Sequence, residues 1–144
     1  MSKDSKITAA HTQAVSHSYT VHYPWHYPRP EDPHYIDFEH YHKLHAKTAR
    51  CAFADSADAD QCVLDKPLEL HHRYIEFSLQ NGVDFATLEK DFPGISNPNE
   101  VGAWVESDQN FVWLCQYHHR GHGGVHVAAA ADYASERYVK DLIS

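Results

Sequence analysis

No apolar run in these 144 residues approaches the roughly 20 that a membrane helix needs, so no membrane partner is expected. The opening Met-Ser-Lys-Asp-Ser-Lys lacks the apolar stretch of a signal peptide, and the expected location is the cytoplasm. Cysteine is scarce and odd in number, at three, which argues against a disulfide framework. Positive charge is short as well. Lys and Arg number 12 against 20 Asp and Glu, a formal net charge of −8. The deficit lies in residues 51–144, with six basic and fifteen acidic residues; residues 1–50 hold six and five. A protein that simply coats nucleic acid is basic. Any nucleic-acid role here must rest on a local patch, a bound cation or a partner. Internal repeats are absent too.

Histidine is what the chain has in excess: 14 residues, almost one in ten. A bland core has no use for so many imidazoles, so metal or proton chemistry comes first. Apolar residues at 42% and aromatics at 12% suit one globular domain with a modest core.

Residues 1–36 read as an extended arm, with His11, His17, His22, His26 and His34 among Pro24, Pro28, Pro30 and Pro33. Proline removes donors and biases its predecessor to extended geometry, so residues 23–30 cannot form a helix. Either this is a floppy extension, or its Tyr and Trp rings lie on a protein partner. The ring content favours the docked arm.

Residues 37–144 read as one domain. Asp37 to about Ala54 is expected as a helix, capped by Asp37, with Phe38, Tyr41, Leu44 and His45 at helical spacing. Residues 55–61 form an acidic loop that lacks the Gly and terminal Glu of a calcium site. Leu68 to His72 alternates as a short strand, and Asn110 to Leu114 is a second, rich in β-formers. Between them, residues 73–109 read as a helical insertion. A helix is expected from Arg73 to Asn81, stopped by Gly82, and another from an Asp84 cap to Lys90. Loop follows, with a helical turn at Val101–Val105. A last helix runs from Asp132 to about Ile143. Core candidates are Leu68, Leu70, Phe77, Phe85, Leu88, Phe92, Trp104, Phe111, Trp113 and Leu114.

Chemistry concentrates in three places. Cys115 and His118 have C-x2-H spacing, which one tight turn presents to one ion. Cys51 and Cys62 would complete a tetrahedral structural zinc site, although ten residues separate them. Cys51 could instead be an ordinary buried helix residue. His71 and His72 are neighbours on a strand, so their side chains diverge. One can hold a metal while the other activates water, a task suited to neutral imidazole. Chance placement on the surface is the plain alternative. Asn110 could orient that base, or simply be a turn residue before a strand. A further imidazole from His119, His122 or His126 would complete the metal grip. Arg120 is a candidate phosphate contact or a solvated surface residue. Gly121, Gly123 and Gly124 oppose a long helix here, each costing about 1 kcal/mol in a helix interior. They suit a loop that carries His122 and His126, a turn with donors facing a phosphate, or a plain turn.

Leu-Glu-Leu-His71-His72, then Asn110-Phe-Val-Trp-Leu-Cys115, then Gln-Tyr-His118-His119 resembles the zinc-containing HNH endonuclease motif. The resemblance covers roughly residues 38–128 and extends to phage-carried HNH proteins. It implies an α+β fold with a small ββα-metal, treble-clef-like core, flanking helices and the N-terminal arm. It implies a DNA phosphodiesterase of host cytoplasm or virion. His72 is then the general base and Asn110 the motif's Asn. His71 and His119 hold the catalytic divalent ion, such as Mg2+, Mn2+, Ni2+ or Zn2+, with His122 and His126 in reach. Cys51, Cys62, Cys115 and His118 hold structural zinc. Two other functions remain open. One is a catalytically weak or inactive HNH scaffold that serves as a structural or DNA-packaging component of a phage. The other is a His-rich metal or proton buffer.

Overall fold

The computed structural model describes residues 7–16, 18 and 20–144. His17 lies outside them. The fold is α+β, with short helices around a two-stranded sheet. Strand β1 (Glu69–His72) pairs antiparallel with β2 (Phe111–Leu114), His72 opposite Phe111 and Leu70 opposite Trp113. The two-residue period therefore sends Leu70, His72, Phe111 and Trp113 to one face. Helix α1 (Tyr35–His45) covers that face. Phe38 packs on His72 and Phe111, and Tyr41 on Phe111 and Trp113. The other face carries Glu69, His71, Val112 and Leu114 toward α4 (Gln116–Arg120).

Helix α1 is shorter than its periodicity suggests. It ends at His45, so Cys51 is not a helix residue. The chain is drawn away beside β2, where the Ala52 N–H donates to the Trp113 carbonyl at 2.9 Å. Asp37 is not its cap either. His34 holds that place, and Asp37 sits in the first turn, 3.0 Å from His34 Nδ1.

The insertion holds α2 (Phe85–Asp91) and α3 (Pro98–Val105). Asp84 caps α2 as expected, accepting from the Thr87 N–H. Helix α3 is longer than the turn anticipated. Its start is a reciprocal cap: Asn97 accepts from the Glu100 N–H, and Glu100 from the Ser96 N–H. No helix begins at Arg73. Asn110 bonds the N–H groups of residues 73–75 and, through Nδ2, the Ile75 carbonyl, an acceptor that a helix from Arg73 would use, and only a 3-10 turn forms, at Phe77–Gly82. Trp104, Val101, Val105, Leu88 and Ile95 form this region's own core. A second core, around Leu114, Phe53, Cys51 and Cys115, lies under the sheet. The last helix, α5 (Ala130–Ser135), is half the expected length.

The second half of the arm is seated on the insertion. Asn81 donates to the Trp25 carbonyl at 2.7 Å, and Gln80 to the Asp32 carboxylate at 2.7 Å. His26 meets the Phe77 ring edge-on. Among the described residues, no helix is long and apolar enough to cross a membrane.

Candidate metal centres

Cys115 leaves β2 as the N-cap of α4, and its Sγ accepts from the His118 N–H at 3.4 Å. The one-turn helix thus aims a thiol and an imidazole at one point. The post-α1 chain brings Cys51 and Cys62 to the same point. His118 Nδ1 lies 3.2 Å from Cys115 Sγ, 3.6 Å from Cys62 Sγ and 3.7 Å from Cys51 Sγ. These four side chains have the separation and chemistry to hold a metal such as zinc. Burial raises the Cys51 and Cys62 thiols, and for Cys62 the neighbouring thiols raise it further. A bound dication reverses that preference by stabilising thiolates.

The ten-residue gap between Cys51 and Cys62 has a use that spacing rules miss. It carries Asp58, which is buried and accepts from His118 Nε2 at 2.8 Å. A carboxylate on the far ring nitrogen fixes the tautomer of a metal-binding histidine. Phe53 stacks on the same ring, centroids 4.4 Å apart.

Glu136 sits beside Asp58 with neither carboxylate oxygen hydrogen-bonded. Burial, then the Asp58 charge, pushes its pKa up to about 7. Unfolded, a Glu titrates near about 4.3. Ionisation therefore costs the fold stability as pH rises from about 4 to 7, and the loss persists above. We expect Glu136→Gln to melt above wild type at pH 8, with the gap closing by pH 5. A gap independent of pH in paired thermal melts would contradict this.

The second cluster joins His71, His119 and His126, whose ligating atoms lie within 4.8 Å of one another. His71, the third residue of β1, faces α4, which supplies His119. His126 comes from the glycine segment. That segment turns back onto α4, and the His126 N–H donates to the His119 carbonyl at 3.1 Å. Gly124 lies so close that a Cβ would stand 2.6 Å from the Tyr117 carbonyl oxygen. The glycines therefore shorten α4 and bring in an imidazole from the loop. His126 Nε2 lies 3.0 Å from His119 Nε2, and Glu69 lies 2.9 Å from His119 Nδ1. Both clusters thus share one design, a carboxylate behind an imidazole. Burial and the neighbouring imidazoles push His71 down to about 4, against the pull of Glu76, so it is neutral and free to ligate. His122 is exposed and outside the cluster. Arg120 does not stand free. Its Nε and Nη2 grip Glu69 at 3.0 and 2.9 Å.

His72 points to the opposite face. Its Nε2 lies 2.6 Å from Oε1 of Glu106, a fully buried carboxylate at the end of α3. Its Nδ1 lies 3.7 Å from Glu76, and the same carboxylate lies 3.9 Å from His71 Nδ1. Burial alone would lower the His72 pKa. The Glu106 hydrogen bond and the Glu76 carboxylate near Nδ1 outweigh it and raise the value.

Asn110 is fully buried and touches neither cluster. Its Oδ1 accepts from the N–H groups of Tyr74 and Ile75, and its Nδ2 donates to the carbonyls of Ile75 and Val105. Its own carbonyl accepts from the Arg73 N–H at 2.6 Å. It therefore fastens the chain that leaves His72. Asn110→Ala orphans several buried backbone groups at about 1–3 kcal/mol apiece. We expect a loss of roughly 3–5 kcal/mol in urea unfolding; a loss under 1 kcal/mol would contradict the fastening role.

Glu106, Asp58, Glu69 and Glu76 escaped sequence reasoning. Spacing signals exist for ligands but not for the carboxylates behind them. A cleft of about 550 Å³ runs beside His119, walled by Phe38 and Leu68 and edged by His42, Lys66 and Arg120. A scan against protein-family models finds no match, and searches for similar curated proteins and similar solved structures find none.

Proposed function

We propose that this chain is a metal-dependent HNH-type endonuclease that hydrolyses phosphodiester bonds of DNA from a ββα-metal core. The observation that carries the reading is the convergence of His71, His119 and His126, with Glu76 3.9 Å from His71 and 3.7 Å from His72. Strand β1 supplies His71, the short helix α4 supplies His119, and the glycine segment supplies His126.

Three imidazoles suit a borderline ion such as Zn2+ or Ni2+ better than Mg2+ or Mn2+, which favour oxygen ligands. Held by these residues, a dication supplies Lewis-acid stabilisation of charge developing on the phosphate. The chain's own groups do the rest. Glu106 occupies Nε2 of His72, so Nδ1 is the atom left to take a proton from water. Glu69 fixes the His119 ring with Nε2 toward the cluster. Lys66, on the neighbouring cleft, is placed to meet phosphate oxygens; Arg120 would have to leave Glu69 to join it. Residues 40–50 add Lys43 and Lys47 with no acidic residue between them, while Arg50 is paired with Asp55. This is the local patch that a chain of net charge −8 needs if it is to approach DNA.

The test is plasmid nicking by purified, zinc-loaded protein, with Mg2+, Mn2+, Ni2+ or Zn2+ added singly beside an EDTA control. Metal-dependent nicking is the expected result. A folded, zinc-loaded protein that never nicks would overturn the nuclease. It would favour the inactive scaffold, to which the overall acidity and the engaged His72 also belong.

A further inference from the structure

The arm reaches the proposed base. Arg29, in its only 3-10 turn among the described residues, extends to the buried end of α3. Its Nη1 lies 2.9 Å from Oε1 of Glu106, the oxygen that holds His72. The guanidinium also lies over three rings, 4.6 Å from the Phe38 centroid and 4.9 Å from those of Tyr35 and Phe77. Phe38 in turn packs on the His72 ring, 5.4 Å between centroids. Arg29, Glu106, His72 and Phe38 thus close a circuit around one imidazole.

We propose that Arg29 is a positioning residue for His72, acting through Glu106, so that the arm forms part of the reaction centre. The proposal rests on the reading of His72 as the base. A fully buried carboxylate needs a compensating charge. The arm supplies the one that faces Glu106 opposite His72. With Arg29 in place, Oε1 lies between the imidazole that hydrogen-bonds it and a guanidinium charge that holds it there. Without it, the carboxylate rotates or takes up a proton, and His72 loses the partner that fixes which nitrogen is free. The aromatic cage explains why arginine stands there, since a planar guanidinium stacks where an ammonium does not. The strap is anchored on both sides of Arg29, by Trp25 with Asn81 and by Asp32 with Gln80. The position of Arg29 is therefore set independently of the residue it serves.

The test uses the full zinc-loaded chain with Arg29→Gln and Arg29→Lys. Cleavage kinetics are combined with the proton signal of the hydrogen-bonded His72 imidazole N–H, assigned by its loss in His72→Gln. For Arg29→Gln, kcat is expected to fall about tenfold or more, with KM within about twofold. The imidazole proton signal is expected to shift or broaden away. Arg29→Lys, which keeps the charge but not the stacking plane, is expected between this and wild type on both readouts. Wild-type kcat in a folded Arg29→Gln overturns the proposal, as does a lowered kcat with an unmoved imidazole signal. Should Arg29→Gln fail to fold, wild-type values of both readouts in Arg29→Lys overturn it. A folded wild-type chain that never nicks, whichever of the four ions is added, defeats the nuclease reading instead. The positioning is then decided by the imidazole signal alone, and an unmoved signal in Arg29→Gln refutes it.

Discussion

His72→Ala is expected to lower the metal-dependent cleavage rate by about 10²–10⁴, the usual contribution of a positioned general base. That corresponds to about 3–5 kcal/mol of activation free energy. The prediction follows from which ring nitrogen is free. Nε2 lies 2.6 Å from buried Glu106, and Nδ1 points to the side where Glu76 bridges toward His71. Removing the ring deletes the proton acceptor without deleting a ligand of the His71, His119 and His126 cluster. Metal affinity at that cluster should therefore stay near wild type. Zinc content should stay the same too, because the Cys51, Cys62, Cys115 and His118 cluster shares no residue with it. Some stability will be lost, since the ring packs against Phe38 and Phe111. Glu106 keeps Arg29 as its ion partner, so the carboxylate is not stranded. Single-turnover cleavage below the variant's own melting temperature separates the two effects. A folded His72→Ala that cuts at the wild-type rate would place the base elsewhere, with Glu76 the first residue to examine.

The residues of the two candidate metal clusters are legible in the sequence because their types are rare and their spacings short. Cys115 and His118, three apart, meet through a single helical turn, and any tight turn would have brought them together. His71 and His119 meet because two paired strands and a five-residue helix leave little freedom between them. The long-range partners were not legible. Nothing in Ala57-Asp58-Ala59 distinguishes a carboxylate under an imidazole from one in water, yet Asp58 is buried and Asp60 is exposed. Glu106 follows a helix that the chain did not advertise, because Asn97-Pro98-Asn99-Glu100 reads as punctuation until the reciprocal cap forms. Periodicity failed where tertiary contacts took the backbone first. Residues 46–54 have helical spacing but are claimed by the thiol cluster and the edge of β2. At residues 73–75 the side chain of Asn110 bonds the Ile75 carbonyl that a helix would use. The glycine segment kept its ambiguity for another reason. Glycine marks a close approach without saying to what, and here it is the backbone of α4.

Stripping the thiol cluster of metal should unfold the half of the chain that surrounds it. Structural zinc contributes about 10–16 kcal/mol of apparent binding free energy in small domains. A domain of this size has a total stability of about 5–15 kcal/mol. The core under the sheet has little else to hold it. Cys51, Cys115 and Cys62 are themselves part of its packing, with Phe53 and Leu114. The flanking helices α4 and α5 have five and six residues, too short to persist alone. A strong chelator, or Cys115→Ser, is therefore expected to abolish the cooperative melt of this half and release one zinc per chain. The insertion has a separate apolar core of Leu88, Ile95, Val101, Trp104 and Val105, which contains no ligand. Residual Trp104 fluorescence change on later heating would report it unfolding on its own. Asp58→Asn supplies the graded version. It leaves all four ligands in place but weakens the carboxylate behind His118 Nε2, and should lower zinc affinity about tenfold to hundredfold. Competition against a colorimetric chelator measures that ratio. A melting temperature indifferent to chelation would mean that thiol packing alone holds the cluster; wild-type affinity in Asp58→Asn would mean that the His118 ring is fixed by the Phe53 stack instead.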